Sequence, residues 1–237
     1  MHTSGFPYRP SRRTFKARLL AASLAVSSGF VLLAAPVSDA AAQAASNPNL
    51  NARLLIAARQ GDAKQVERAL AQGAAPNSRN RFGKTALLTA CEEANLPLAA
   101  LLIDAGANVD LASVEGVTPL MAASYSGDAA LIKRLLAAGA KTDPLDRTRK
   151  PAIVYAAGQG QVAAIEALLN AGVEVDATYE NGLTALMWAA GQGHTDAVRL
   201  LLARGARADR RDDRGLTALD MARQAGHATA VALLVAS

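Results

Sequence analysis

Hydrophobic and small residues recur along most of the chain with a step of 33 residues. Apolar runs of about ten residues alternate with short polar turns, and a glycine follows every second run. The leucine-type positions are Leu70, Ile103, Leu136, Leu169, Leu202 and Val235, and the glycines are Gly73, Gly106, Gly139, Gly172 and Gly205. This self-similarity predicts a repeat array in which each unit is a turn followed by two short helices.

Two further columns mark the start and the middle of each unit. Threonine precedes the first helix at Thr85, Thr118, Thr184 and Thr217, with Pro151 in the missing place. Glycine separates the two helices at Gly61, Gly127, Gly160, Gly193 and Gly226, with Ala94 as the exception. The predicted units cover about 49–77, 78–110, 111–143, 144–176, 177–209 and 210–237. The short last unit is expected to fray.

The residues inside the units indicate how neighbouring units stack. Alanines such as Ala122 and Ala123 let the first helices approach closely, and leucine pairs such as Leu135 and Leu136 are expected to fill the layer between the second helices. Helices this short are not stable alone in water, so their stability must come from packing. Leu136→Ala is therefore expected to cost about 2–5 kcal/mol, and Gln159→Ala almost nothing.

The repeated segments resemble the ankyrin repeat. The family pattern G-x-T-P-L-H-x-A-A-x-x-G, followed by L-L-x-x-G-A-x-x-D/N, is matched by TPLMAASYSG with LLAAGAKTD and by TALMWAAGQGH with LLLARGARAD. It is matched again by TALDMARQAGH. The resemblance covers nearly all of the chain after its amino-terminal segment. It implies an all-α repeat solenoid of about six units, each with a β-hairpin or turn and two antiparallel helices.

The chain departs from the family pattern in two ways. The histidine after T-P-L is absent from every unit, and Leu88, Met121, Val154, Met187 and Asp220 stand in its place. Apolar packing is expected to replace its hydrogen bonds in four units. In the fourth unit Arg149 replaces the turn glycine, and Pro151 replaces the threonine. We therefore expect a distorted or displaced loop over residues 144–151.

The amino end has the composition of an export signal. Residues 1–18 contain five Arg or Lys and no acid, residues 19–37 are mostly apolar, and small residues near 40–44 offer cleavage sites. This order is typical of a secretory signal peptide. The stretch SRRTFK also resembles a twin-arginine signal, although Lys16 stands where an apolar residue is usual.

The resulting prediction is a signal peptide over residues 1–42, exported by either route, and a disordered lead-in over residues 43–48. The protein would then be periplasmic, and a retained membrane anchor is the alternative. Residues 1–42 carry five basic residues and one acid, so they hold most of the formal net charge of +5 and leave about +1 on the remainder. That balance gives no reason to expect a nucleic-acid partner.

Candidate chemistry is sparse. The single cysteine, Cys91, excludes a disulfide framework and is expected to be buried. His194 and His227 are expected to start helices, since no third metal ligand accompanies them. We therefore expect no cofactor, no metal and no catalytic site. A recurring acid or amide is expected to form turns rather than calcium sites, at Asn77, Asp110, Asp143, Asp176 and Asp209.

The resemblance also implies where this chain would bind. Hairpin tips and first helices form a concave groove in ankyrin arrays, and the groove usually binds another protein. The corresponding positions here are Arg81, Phe82, Lys84, Glu92, Glu93, Glu115, Val117, Tyr125, Ser126, Arg147, Lys150, Gln159, Glu180, Asn181, Leu183 and Gln192. Tyr155 and Trp188 lie one repeat apart and either stack on each other at the groove floor or belong to the core.

The leading hypothesis is a non-enzymatic, exported binding module that acts as a scaffold or stabiliser of a periplasmic protein. A preformed groove suits this role because little ordering entropy opposes docking. One alternative is an immunity or inhibitor protein that caps the active site of a toxin or enzyme. Another is a membrane-tethered adaptor, which requires that the signal be retained. Once the signal is cleaved, no stable membrane association is expected.

Overall fold

Twelve α-helices form six consecutive pairs in the computed structural model, which describes residues 48–237. The helices are α1 (Pro48–Arg59), α2 (Ala63–Ala71), α3 (Ala86–Glu92), α4 (Leu96–Asp104), α5 (Pro119–Ser126), α6 (Ala129–Ala137), α7 (Ala152–Gly158), α8 (Val162–Asn170), α9 (Ala185–Gly191), α10 (Thr195–Ala203), α11 (Ala218–Gln224) and α12 (Ala228–Val235). No strand occurs in this range, and a short 3-10 turn covers Glu180–Gly182. The predicted all-α solenoid is confirmed.

The amino-terminal predictions lie outside the described residues. These are the signal peptide and nearly all of the disordered lead-in; Pro48, the last residue of that lead-in, begins α1. Between residues 48 and 237, no helix is both long and apolar enough to cross a membrane.

The threonine column starts the first helices of four pairs. Thr85, Thr118, Thr184 and Thr217 have extended backbone, and each hydroxyl oxygen accepts a hydrogen bond from the N–H three residues on. This bond satisfies one of the amide groups that a helix leaves free at its amino end. Pro151 begins α7 without such a bond.

The first helices pack more closely against one another than the second helices do. Alanine makes this possible, because Ala90, Ala123, Ala156 and Ala189 are completely buried between neighbouring first helices. Since one row of helices is closer together than the other, the stack curves toward the first helices. They and the hairpins therefore form the concave face.

The buried leucine column between the second helices lies one residue earlier than predicted. Leu135 is 0% exposed, as are its counterparts Leu102, Leu168 and Leu201, whereas Leu136 is only half-buried at the edge of the core. Adjacent helix positions point about 100° apart, so only one residue of each leucine pair can face the centre of the layer. The prediction that Leu136 fills this layer is wrong, and the large packing cost belongs to Leu135.

Buried side chains occupy the position of the missing histidine. Leu88, Met121, Val154 and Met187 are buried, as predicted. The two methionines also accept a weak hydrogen bond through Sδ, from the N–H of Thr118 at 3.4 Å and of Thr184 at 3.5 Å. In the last pair, an Asp220 carboxylate oxygen accepts the Thr217 N–H at 3.0 Å.

Hydrogen bonds between units are made instead at the start of the second helices. His194 and His227 precede α10 and α12, as predicted for helix-start residues. Their Nε2 atoms lie 3.0 Å from the Gly158 carbonyl and 3.2 Å from the Gly191 carbonyl of the preceding unit. A Cβ at Gly160, where φ is +68°, would lie 2.6 Å from His194 Nδ1, so this packing requires glycine.

The acid and amide column also joins neighbouring units, which its predicted role as a turn former did not include. Asn77 Oδ1 accepts the Asn108 N–H at 2.7 Å, and Asp110 Oδ1 accepts the Lys141 N–H at 3.0 Å. Asp176 Oδ1 accepts the N–H of Arg207 at 2.9 Å in the same way. Each bond spans 31 residues and so fixes one unit against the next.

The hairpin of the fourth unit is regular, and the expectation of a distorted loop over residues 144–151 is wrong. The Asp146 N–H donates to Lys150 at 3.1 Å and the Arg149 N–H to Asp146 at 2.9 Å, which repeats the pattern of the third unit. Arg149 adopts the left-handed conformation of a glycine, with φ of 56°. The Asp146 carboxylate holds this turn by accepting the N–H groups of Thr148 and Lys150, both at 2.8 Å.

The fifth hairpin keeps the same two backbone bonds, from the Tyr179 N–H to Leu183 at 2.9 Å and from the Gly182 N–H to Tyr179 at 3.1 Å, but it differs from the other hairpins at its tip. Tyr179 occupies the position of Asp146 and makes no such side-chain bonds to the turn, and the left-handed Asn181 lies within the 3-10 turn. In the described residues, no backbone hydrogen bond joins Glu180 to Thr148. The equivalent bonds link the other successive hairpins, as between Arg147 and Glu115 at 3.0 Å.

Candidate partner-binding groove

The residues predicted for the groove lie on the hairpins and on the first helices, and none is fully buried. The exposed ones are Arg81, Phe82, Glu92, Glu93, Glu115, Tyr125, Arg147, Gln159, Glu180, Asn181 and Gln192. The half-buried ones are Lys84, Val117, Ser126, Lys150, Tyr155, Leu183 and Trp188. Their role in binding stays a prediction.

Trp188 lies where three shallow depressions of this face meet. The first, of about 220 Å³, is also lined by Tyr125 and Tyr155. The second, of about 370 Å³, continues along Leu183 to Met221. The third, of about 230 Å³, extends under the hairpin of the fourth unit. The indole is therefore the common floor of the central part of the groove.

Of the two possibilities for Tyr155 and Trp188, stacking on each other is not what the structure shows. Tyr155 instead meets Tyr125 edge-on, with ring centroids 6.4 Å apart and planes at 71°. The Lys150 ammonium lies 4.7 Å from the centre of the Trp188 ring, a distance suited to a cation–π interaction. Tyr155 and Trp188 also pack against the hydrophobic core, as the core alternative predicted.

A buried carboxylate ties the hairpin of the fourth unit to this floor. The Tyr155 hydroxyl donates to Asp146 Oδ2 at 2.7 Å. Burial favours a higher pKa for Asp146, but hydrogen bonds from Tyr155, Lys150 and Thr148 outweigh it and lower the pKa. Burial, together with the Asp146 carboxylate, raises the pKa of Tyr155. One network of hydrogen bonds thus joins the fourth hairpin, which borders the groove, to helix α7 at the groove floor.

Charges on this face are partly neutralised within the chain. Lys84 pairs with Glu92 at 2.8 Å, and Arg147 pairs with Glu115 at 3.3 Å. Among the described residues, Arg149 and Lys150 have no carboxylate within ion-pair distance, and neither Glu93 nor Glu180 has a basic partner.

The groove also contains residues that the sequence analysis did not select. Met221, Arg214 and Gln224 line the depression beyond Trp188, and Arg149 borders the one under the fourth hairpin. Met221 lies one repeat after Trp188 and two after Tyr155, so the 33-residue step could have identified it. The 33-residue step did not identify Arg149 as a groove residue, because the hairpin that contains it was expected to be displaced.

The described residues contain neither a cluster of metal ligands nor an exposed thiol. Residues 48–237 contain no cluster of three or more His, Cys, Asp or Glu that could hold a metal ion. Cys91 is completely buried, as predicted, and burial raises the pKa of its thiol far above neutrality. The thiol therefore stays protonated and unreactive.

Comparison with known proteins agrees with the repeat geometry. The family model described as ankyrin repeats (3 copies) matches residues 54–146 and 153–237. Among solved structures, the crystal structure of EF0377, an ankyrin repeat protein, superposes with a TM-score of 0.72 at 28% sequence identity. The similarity covers 79% of this chain and 98% of that one. None of the curated proteins matches the sequence. The chain therefore belongs to the ankyrin-repeat family, whose repeats are protein–protein interaction modules.

Proposed function

We propose that this protein is an exported, non-enzymatic binding module that holds a partner protein in its concave groove, as a scaffold or stabiliser in the periplasm. The observation that carries the proposal is the half-buried Trp188, which lies at the junction of three depressions on this face. Aromatic residues in such positions dominate the binding energy of many protein interfaces. The basic, apolar and small-residue order of residues 1–44 supports export.

The rigidity of the groove supports binding without large rearrangement. Bonds from His194 and Asp110 fix successive units against each other, and the Asp146–Tyr155 bond fixes a hairpin against its helix. A surface that is already ordered loses little conformational entropy when a partner docks. The energy gained from contacts with the aromatic floor then contributes to affinity instead of offsetting a loss of conformational entropy.

Affinity capture tests the groove. The full-length chain with a carboxyl-terminal tag is expressed in a bacterium and used to capture partners from the periplasmic fraction. The groove variant combines Phe82→Ala, Tyr125→Ala and Lys150→Ala. The control combines Lys64→Ala, Lys133→Ala and Arg199→Ala, which removes exposed charges from the second helices instead.

A partner that binds the wild type and the control variant, but not the groove variant, is the expected result. Equal binding to all three proteins would place the interaction outside the groove.

Fractionation and mass measurement test the export. The proposal expects a periplasmic species that has lost about 42 residues, since the predicted signal peptide is removed on translocation. A full-length chain in the cytoplasm would contradict export, and a full-length chain in the membrane fraction would support the tethered adaptor instead.

A further inference from the structure

We infer that the groove takes an extended, acidic segment of its partner, with one large apolar side chain inserted beside Trp188. This inference rests on the function proposed above and specifies the chemistry of the partner. Three features of the described structure carry it: a depression with apolar side chains at its floor, free amide groups beside it, and basic side chains on its rim.

The depression between Trp188 and Met221 is the place for the apolar side chain. It has a volume of about 370 Å³, and Leu183 and Met187 also contribute to its lining. Methionine and tryptophan adapt to a large apolar group, because the thioether is flexible and the indole offers a broad flat surface. The depression is open to solvent, so a side chain can enter it without displacing the core.

The amide groups favour an extended segment over a helix. Gln192 borders the depressions on both sides of Trp188, and Gln159 lies one unit before it. Within residues 48–237, neither side-chain amide makes a hydrogen bond. A glutamine amide offers both a donor and an acceptor. An extended peptide presents free N–H and C=O groups to match them, whereas the interior of a helix has already paired its own.

The charges favour acidic residues beside the apolar side chain, above all on the side of the fourth hairpin. Lys150 lies over one side of Trp188, has no carboxylate partner among the described residues, and is followed around the rim by Arg149. Arg214 lines the opposite side, at the Met221 depression; it is paired with Asp212 at 2.8 Å, but its own side chain is 64% exposed. Among the described residues, Glu180 lines the depression under the fourth hairpin, and the exposed Asp213 stands next to Arg214. Under the fourth hairpin the two basic groups, Arg149 and Lys150, outnumber the single acid, so a carboxylate-bearing segment is the complementary occupant there.

Defined peptides test the inference on the full-length protein. The probe is the acetylated and amidated peptide GDEFEDG, compared with the basic peptide GKRFRKG and with GDEAEDG, which lacks the aromatic anchor. Trp188 is the only tryptophan in the chain, so its fluorescence reports directly on the groove. None of the peptides contains tryptophan.

We expect GDEFEDG to change the Trp188 emission saturably and to bind at least about tenfold more tightly than either comparison peptide. Lys150→Met keeps most of the length of the side chain but removes its charge, and is expected to weaken binding by about threefold or more. Lys133→Met removes a charge from the exposed side of α6 and is expected to leave binding unchanged. Binding of GDEFEDG is also expected to weaken as salt concentration rises.

Three results would overturn the inference. These are equal or tighter binding of the basic peptide, the absence of any effect of GDEFEDG on Trp188 emission at millimolar concentration, and unchanged affinity in Lys150→Met. Its failure is distinguishable from failure of the proposed function. If partner capture still depends on the groove residues while GDEFEDG does not bind, the chemistry of the occupant is wrong and the groove remains the binding site.

Discussion

Arg149 and the turn glycines of the other hairpins adopt the same left-handed backbone at different energetic cost. Arg149 has φ of 56°, and Gly116 in the preceding hairpin has φ of 80°. A side chain with a Cβ is disfavoured in this region by about 1–2 kcal/mol, whereas glycine enters it freely. The hydrogen bonds that the Thr148 and Lys150 N–H groups donate to the Asp146 carboxylate offset that cost in the fourth unit.

Arg149→Gly is therefore expected to stabilise the protein. Relief of the left-handed strain exceeds the additional backbone entropy of glycine in the unfolded chain, which leaves a net gain of about 0.5–1 kcal/mol. Urea unfolding measures the change. Gly116→Ala is the opposite control and is expected to destabilise, because its Cβ would also lie 3.0 Å from the Asp146 Cα. A loss of stability in Arg149→Gly would show that the arginine side chain makes a stabilising contact of its own.

The two adjacent leucines of α6 are expected to differ in their contribution to stability. Leu135→Ala should lower the free energy of unfolding by about 2–5 kcal/mol, because Leu135 is completely buried. Leu136→Ala should cost clearly less, since Leu136 lies at the edge of the core. Chemical denaturation of both variants checks this, with Gln159→Ala as a nearly neutral reference. Equal costs at the two leucines would contradict the burial pattern.

These residues show what the sequence could and could not predict locally. The repeat step identified the leucine pair, but both members are apolar, so periodicity alone did not decide which one faces the layer. The glycines of the other hairpins identified Arg149 as the replacement of a turn glycine, and this substitution predicted a distortion that does not occur. The hairpin is regular because the Asp146 carboxylate accepts backbone N–H groups, and the spacing of the repeats did not indicate these bonds.

The hairpins are the elements in which single side chains have the largest structural effect. Asn80, Asp146 and Asp212 each accept backbone N–H groups across their turns, and these hairpins are regular. Tyr179 provides no such bond, and the fifth hairpin contains the 3-10 turn. The missing glycine of the fourth unit predicted a distorted hairpin there, whereas the hairpin that differs from the others is the fifth, which lacks the side-chain acceptor.

Asp146→Ala is expected to destabilise the fourth hairpin by about 1–3 kcal/mol, because it leaves partly buried N–H and O–H donors without their acceptor. Asp146→Asn should cost less, since Asn80 holds the second hairpin through the same kind of bonds, at 2.8 and 3.1 Å. Thermal and urea unfolding at neutral pH check the order of the two variants. An equal cost for both would mean that the charge, and not the turn bonds, provides the stability.

The same carboxylate makes the fourth hairpin sensitive to acid. Because the folded pKa of Asp146 is lowered, its contribution is fully present above the unfolded value of about 3.9 and is lost as pH falls through the folded pKa. The difference in unfolding free energy between the wild type and Asp146→Asn should therefore be largest near neutral pH and should shrink below about pH 4. A difference that stays constant across this range would contradict the role of the charge.

At the scale of the whole molecule, stability is expected to be lowest at the ends of the array. Terminal units contact one neighbour instead of two. In the last helix, α12, Val235 is 63% exposed, whereas α5 and α7 are buried between units on both sides. Amide hydrogen exchange is expected to be fastest in α12 and slowest in α5 and α7. Uniform exchange along residues 48–237 would show that the array unfolds as one cooperative body.

The architecture was predictable from the sequence because the same apolar, glycine and turn positions recur in every unit and predict the same pair of helices each time. The central groove was less predictable, since its aromatic and basic side chains come from different units. The position of Lys150 over Trp188, for example, joins the fourth hairpin to the fifth pair of helices. No periodicity encodes such a pairing.

The bonds between successive units have a consequence for how this protein can evolve. Asn77, Asp110 and Asp176 each supply an acceptor to a backbone N–H 31 residues further on, and the second unit contains both the donor to its predecessor and the acceptor for its successor. An in-frame duplication of that unit would therefore insert a unit whose connections of this kind are complete on both sides. Recombination can lengthen or shorten the binding surface, while point substitutions at its exposed positions alter what it recognises. Selection can act on these two properties independently.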